Sequence, residues 1–210
     1  MVLSTLKVLI RLARHSASAA NQIMQCPGLL QTILLEFLPP RLPSSYSNTS
    51  LYGAPVWLAC KLCRTIAAWG KAMATALITE FHLLRSLIAY LTIDPSEAAI
   101  PSRESAQLCI ESYRTWCMLL RYNLGVTCYR DLYPLLMKQL LYFIEKVDVA
   151  PAAEDKQFDY DICCWLLTML TNVLGCLSFN SELAWTHVDD LRKGLLFNIL
   201  GTLLIFYLNL

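Results

Sequence analysis

Apolar residues recur every three to four positions along most of this chain, and that spacing limits the possible folds more than any other feature. Such a period places the apolar side chains on one face of a helix, whereas a half-buried strand needs strict alternation. The helix that begins at Pro55 and ends near Gly70 shows it clearly in Leu58, Leu62, Ile66 and Trp69. Because alternating patterns are hard to find, the sequence predicts an all-α fold.

Capping residues and prolines divide the amino-terminal part into three short predicted helices. The first runs from about residue 4 to residue 15. The second follows a cap at either Ser16 or Ser18 and stops before Pro27. Since proline is tolerated in the first turn of a helix, we expect Pro27 to lie in the first turn of the third helix, which Pro39 ends.

Further helices, brief turns and longer loops follow at intervals. The predicted helices span about 55–69, 72–78, 81–91, 102–125, 132–146, 155–179 and 181–210. The stretch at 39–53 is a predicted loop, and 94–101 and 147–153 are predicted linkers. This organisation favours irregular HEAT- or armadillo-like helical repeats, an α-solenoid. A compact irregular bundle is compatible with the same pattern because no exact internal period is present.

The chain is poor in charge, with 16% charged and 56% hydrophobic residues, against about 25% charged residues in an average soluble domain. Two interpretations follow. Either the chain inserts into a membrane, or it is a fragment whose apolar faces are covered by further parts of a longer protein. Residues 162–181 carry no charge and 194–210 are almost wholly apolar, but both contain polar residues and the second ends without basic flanks. A small membrane-anchored helical protein with a carboxy-terminal hydrophobic anchor therefore remains the alternative.

No acidic residue precedes Glu36, whereas Lys7, Arg11 and Arg14 lie in the first predicted helix. A basic, serine-containing helix without acids is typical of a mitochondrial presequence. We favour a helix of the fold, because the apolar pattern continues without a break that resembles a cleavage site.

No motif in the sequence predicts catalysis or metal binding. Gly70-Lys71 lacks the leading glycine and the magnesium-binding hydroxyl of a phosphate-binding loop. Cys60 and Cys63 have metal-ligand spacing but lie within a predicted helix without a second pair nearby. A net charge of +1 argues against direct nucleic-acid binding. We therefore expect no enzyme activity, no cofactor and no metal.

Five segments are distinctive enough to compare with known families: 6–16, 26–30, 36–39, 111–116 and 129–137. The last is the most distinctive, because it contains Tyr133-Pro134 at the start of a predicted helix. Together they resemble the carboxy-terminal region of the RNA polymerase II-associated protein 1 family, from about Leu3 to Val188.

The resemblance implies a helical-repeat protein that associates with RNA polymerase II, links it to transcription regulators and assists polymerase assembly and nuclear delivery. Polymerase subunits or assembly factors would be its partners, in the cytoplasm and nucleus. Since proteins of this family are much longer, the resemblance also implies a fragment or a truncated gene model. Residues 1–192 would form the helical-repeat region, and the hydrophobic tail at 193–210 does not match the family.

Aromatic and basic residues on the predicted helices are the candidate protein contacts, because Trp, Tyr and Arg dominate the energetics of interfaces. Aromatic residues at helical spacing also fill cores. The candidates are Trp57, Trp69, Trp116, Tyr129, Arg130 and Tyr133. The sequence thus predicts a non-catalytic interaction scaffold.

Overall fold

A computed structural model describes residues 1–38, 54–91 and 103–125, with positions 128, 135, 136, 138, 139, 142, 161, 164–166, 168 and 169 beyond them. The helices in these ranges are α1 (Val2–His15), α2 (Ala17–Gln25), α3 (Leu29–Phe37), α4 (Ala54–Ala67), α5 (Lys71–Thr79), α6 (Leu83–Leu91) and α7 (Arg103–Arg121). No strand occurs within the described residues. The all-α prediction is confirmed for this part of the chain, and the repeat architecture stays a prediction.

Capping chemistry separates α1 from α2. Ser16 has an extended backbone, and its Oγ accepts a hydrogen bond from the backbone N–H of Ala19 at 3.1 Å. This bond satisfies one of the amide groups that the first turn of a helix leaves without a partner. Of the two caps that the sequence left open, Ser16 is the one used.

The start of α3 differs from the prediction. Pro27 was expected in the first turn of this helix, but α3 begins at Leu29 after Gly28, whose φ is 72°. A left-handed residue breaks helical geometry, and glycine adopts it without the steric cost that other residues meet. Pro27 therefore lies in the turn before the helix, and that prediction was wrong.

Helix α4 is the centre of the described fold, since it packs against α1, α2, α3, α5 and α7. Its side chains are buried around most of its circumference; those with at most 3% exposure are Leu58, Ala59, Cys60, Leu62, Cys63, Ile66 and Ala67. A helix that is apolar almost all round belongs inside a core. Among the α4 side chains that the structure describes, Pro55, Trp57, Lys61 and Arg64 are partly exposed.

Helix α7 contacts both α4 and residues later in the chain. Towards α4, the Thr115 hydroxyl lies 3.3 Å from the Cys60 sulfur. Towards later residues of the chain, the Tyr113 hydroxyl donates a hydrogen bond to Gln139 Oε1 at 2.6 Å, and the Arg114 guanidinium lies 4.8 Å from the centre of the Trp165 ring. Helix α7 therefore joins α4 to residues well beyond it in the chain.

Several predictions fall outside the described residues: the loop at 39–53, the linkers at 94–101 and 147–153, and the tail at 193–210. The division into 1–192 and 193–210 therefore stays a prediction. Within the described part, no single helix is long and apolar enough to cross a membrane. The bent pair Lys71–Thr79 and Leu83–Tyr90, at 75° to each other, meets the criteria of length and composition only when taken together.

Candidate protein-contact surface

Helices α1 and α4 carry basic residues and no acidic ones. Their cations are Lys7, Arg11, Arg14, Lys61 and Arg64. The two helices pack against each other, and neither contains a carboxylate that could pair with these cations. A surface with uncompensated charge of one sign attracts groups of the opposite sign.

Trp69 is fixed at the junction of these two helices. It follows the end of α4, and its indole Nε1–H donates a hydrogen bond of 2.6 Å to the backbone carbonyl of Ala13 in α1. The side chain nevertheless keeps 41% of its surface exposed. A large aromatic ring that is held by a hydrogen bond and open to solvent loses little conformational entropy when a partner covers it.

Arg64 reaches from α4 to a buried carboxylate on α7. Its Nε donates to Glu111 Oε2 at 2.9 Å, and Arg114 Nη1 lies 3.4 Å from Glu111 Oε1. The Glu111 side chain is completely buried, whereas the side chains of Arg64 and Arg114 keep 19% and 37% of their surface exposed. Two guanidinium groups share one carboxylate, so this trio as a whole stays positively charged.

The residues at this junction line an open depression in the surface, with a volume of about 280 Å³. We call it the α1–α4 surface and define it by the residues that line it, Arg14, Arg64, Thr65, Ala68 and Trp69. Arg14 is exposed, and among the residues that the structure describes it has no ion-pair partner. The surface therefore combines two guanidinium groups with one fixed aromatic ring.

The two α4 cysteines have no part in this surface. Burial raises the pKa of the Cys60 thiol to about 12, although the Thr115 hydroxyl acts in the opposite direction. Burial also raises the pKa of Cys63, and the neighbouring Cys60 adds to the rise. Since the thiolate is the metal ligand and nucleophile, both groups are poorly suited to those roles. No group of three or more potential metal ligands is present within the described residues.

The structure places the sequence-derived contact residues in different environments. Trp69 lines the α1–α4 surface. Trp57 is half-buried, with the Lys61 ammonium group 5.3 Å from its ring centre. Trp116 is completely buried in the core. The other three candidates, Tyr129, Arg130 and Tyr133, lie outside the described residues.

Arg14, Arg64 and Glu111 were not among the contact residues predicted from the sequence, although Arg14 was noted as part of a basic helix. One feature of the sequence did indicate unbalanced positive charge on α4, because no acidic residue lies between Glu36 and Glu80. Arg64 and Glu111, however, are separated by 47 residues. Only the packing of α7 on α4 brings them together, so periodicity within either helix gives no hint of the pair.

Comparison with curated proteins shows similarity to one kind of protein. RNA polymerase II-associated protein 1 is 33% identical over 211 residues in Rattus norvegicus, 33% identical over 208 residues in Bos taurus and 37% identical over 212 residues in Homo sapiens. Each alignment covers 91% of this chain and 15% of the relative. The predicted resemblance is confirmed for a partial region of these proteins, and its place at their carboxy terminus stays a prediction. No protein-family model and no solved structure matches the chain.

Proposed function

We propose that this chain, which is similar along 91% of its length to a region of RNA polymerase II-associated protein 1, is a non-catalytic scaffold segment that associates with RNA polymerase II. The similarity to three such proteins is the observation that carries the proposal. The chain spans 15% of the length of these relatives. The segment would therefore supply part of a larger binding surface.

The described helices suit this role. Their buried residues form an apolar core around α4. The α1–α4 surface offers arginine and tryptophan side chains, which are enriched at the centres of protein interfaces. We further propose that the helices belong to a HEAT- or armadillo-like array, because stacked helix pairs present extended binding faces. Polymerase subunits or assembly factors would be the partners, and the chain would act in polymerase assembly and nuclear delivery, in both cytoplasm and nucleus.

The proposal is tested by expressing the tagged 210-residue chain in cells and quantifying co-purified RNA polymerase II subunits by mass spectrometry. We expect soluble recovery and enrichment of polymerase subunits of at least about tenfold over the tag alone. Leu62→Asp is the matched control, since Leu62 is completely buried and a charge there disrupts the fold. Recovery in membranes alone, without polymerase subunits, would contradict the proposal and favour the membrane-anchored alternative.

A further inference from the structure

The charge around the α1–α4 surface is not balanced by the described residues. Neither α1 nor α4 contains an acidic residue. Among the described residues, the one carboxylate that pairs with α4 is that of Glu111, and two arginines share it. This imbalance is local, because the whole chain has a formal net charge of only +1. A ligand that completes the surface should therefore carry negative charge.

The residues that line the surface further limit the kinds of ligand that it can bind. Arg14 and Arg64 line a single depression, and the Trp69 ring lies beside them. A guanidinium group presents five N–H donors in a plane, a geometry that fits the two oxygens of a carboxylate or phosphate. Arg64 uses Nε for Glu111, which leaves its terminal N–H groups with no partner among the described residues. The exposed ring suits a flat apolar group, of which proline in an extended peptide is one kind.

From these observations we infer that the α1–α4 surface binds an acidic peptide segment. Arg14 and Arg64 pair with an anionic group of the peptide, and the Trp69 ring packs against an adjacent proline or other flat side chain. This inference rests on the proposed protein-binding function and names the chemistry of the partner. A peptide is favoured over a nucleic acid, because nucleic acids select for extended basic tracks and this depression holds two arginines.

The test is direct binding of short dye-labelled peptides to the purified 210-residue chain, measured by fluorescence anisotropy at low and physiological salt. The first peptide alternates glutamate with proline, and in the second every glutamate is replaced by glutamine. A third peptide carries phosphoserine in place of one glutamate. It shows whether the surface binds a phosphate group or a carboxylate group more tightly. We expect the glutamate peptide to bind at least about tenfold more tightly than the glutamine peptide, with weaker binding as salt screens the charges.

Matched variants locate the site. Arg14→Glu should weaken binding of the glutamate peptide about tenfold, whereas Arg11→Glu on the same helix should change it less than about threefold. Both side chains are exposed, so both variants should fold, and circular dichroism checks this. Trp69→Leu should weaken binding as well, because it removes the ring.

Three outcomes would overturn the inference: equal binding of the glutamate and glutamine peptides, equal effects of Arg14→Glu and Arg11→Glu, or tighter binding of a single-stranded oligonucleotide than of either anionic peptide. These outcomes concern the peptide site alone. Co-purification of polymerase subunits with a chain that binds no acidic peptide would leave the proposed function standing and reject only this inference.

Discussion

At the scale of single residues, the most unusual feature is a completely buried carboxylate. Glu111 lies between Arg64 of α4 and Arg114 of its own helix. Removing one partner of a buried ion pair is costly, because the other charges keep their desolvation penalty without compensation. Arg64 and Arg114 are partly exposed, which reduces that cost. The trio therefore fixes how α7 sits on α4.

We predict that Glu111→Gln lowers the free energy of unfolding by about 2 kcal/mol, below the range for fully buried pairs because both arginines reach solvent. Urea denaturation followed by circular dichroism measures the change. Glu36→Gln is the matched control, since Glu36 is exposed on α3, and it should change the stability by less than about 0.5 kcal/mol. Equal effects of the two substitutions would show that the trio does not stabilise the fold.

The buried thiols of α4 predict a loss of stability in alkaline solution. The pKa of Cys60 is raised by burial from 9.0 to about 12. Between these pH values the unfolded chain loses the thiol proton while the folded chain keeps it, so the unfolded state binds fewer protons. The stabilising contribution is therefore complete below pH 9 and falls as the pH rises towards 12, by up to about 1.4 kcal/mol per pH unit.

The measurement compares urea unfolding of the wild type and Cys60→Ala from pH 8 to 11. We expect the stability of the variant to fall less steeply with pH than that of the wild type. Cys26→Ala is the matched control because the Cys26 side chain is exposed, and it should reproduce the wild-type slope. Identical slopes for all three chains would contradict the prediction.

At the scale of elements, most of the helices that the structure describes were predictable from local chemistry. Apolar spacing and caps gave α1, α2 and α5 to within a residue or two, and Gly70 was correctly expected between α4 and α5. Local rules failed at Pro27, since both a first-turn proline and a preceding turn are compatible with the same residues. The Gly28 backbone decided between them.

Contacts between elements were less predictable. The hydrogen bond from Trp69 to the Ala13 carbonyl spans 56 residues, and the one from Ser86 Oγ to the Leu38 carbonyl spans 48. Such pairs depend on which helix faces meet, and periodicity identifies a buried face without naming its neighbour. The α1–α4 surface was therefore not predictable from the sequence, although Trp69, one of its lining residues, was among the predicted contact residues.

The turn after α7 provides a prediction about how helix ends are packed. Gly125 has φ of 80°, and a Cβ atom there would lie 2.9 Å from Trp116 Cζ3 and 3.3 Å from Leu84 Cδ2. We expect Gly125→Ala to lower the free energy of unfolding by about 2–3 kcal/mol through backbone strain and overpacking.

Gly28→Ala provides the comparison for this prediction. Gly28 also has positive φ, at 72°, but a Cβ atom there meets nothing within 4 Å. Only the backbone strain applies, and it costs about 1–2 kcal/mol. If urea denaturation shows that Gly28→Ala lowers the free energy of unfolding as much as Gly125→Ala does, the close approach to Trp116 does not contribute to the loss of stability.

At the scale of the whole described fold, stability should be unevenly distributed. Helix α4 contacts five other helices, and most of the described side chains of α7 are buried. Helix α1, in contrast, keeps Val2, Leu3, Val8 and Leu12 at least 40% exposed. Regions with dense buried contacts open mainly by global unfolding, and sparsely packed ones open locally.

We therefore predict that backbone amides in the middle of α4 and α7 exchange with solvent deuterium at least about tenfold more slowly than those in the first half of α1. Hydrogen-exchange mass spectrometry of the 210-residue chain measures these rates peptide by peptide. Uniform protection along α1, α4 and α7 would show that the described helices unfold as one cooperative unit without local opening of α1.

The contacts of α7 with later residues have a practical consequence for anyone who wishes to shorten the chain for crystallisation. Ending the chain after Gly125 would keep every residue of α7, because this helix ends at Arg121. This truncation would, however, remove the hydrogen bond from Tyr113 to Gln139 and the contact between Arg114 and the Trp165 ring. A useful shortened piece should therefore extend at least through Met169, whose side chain is completely buried.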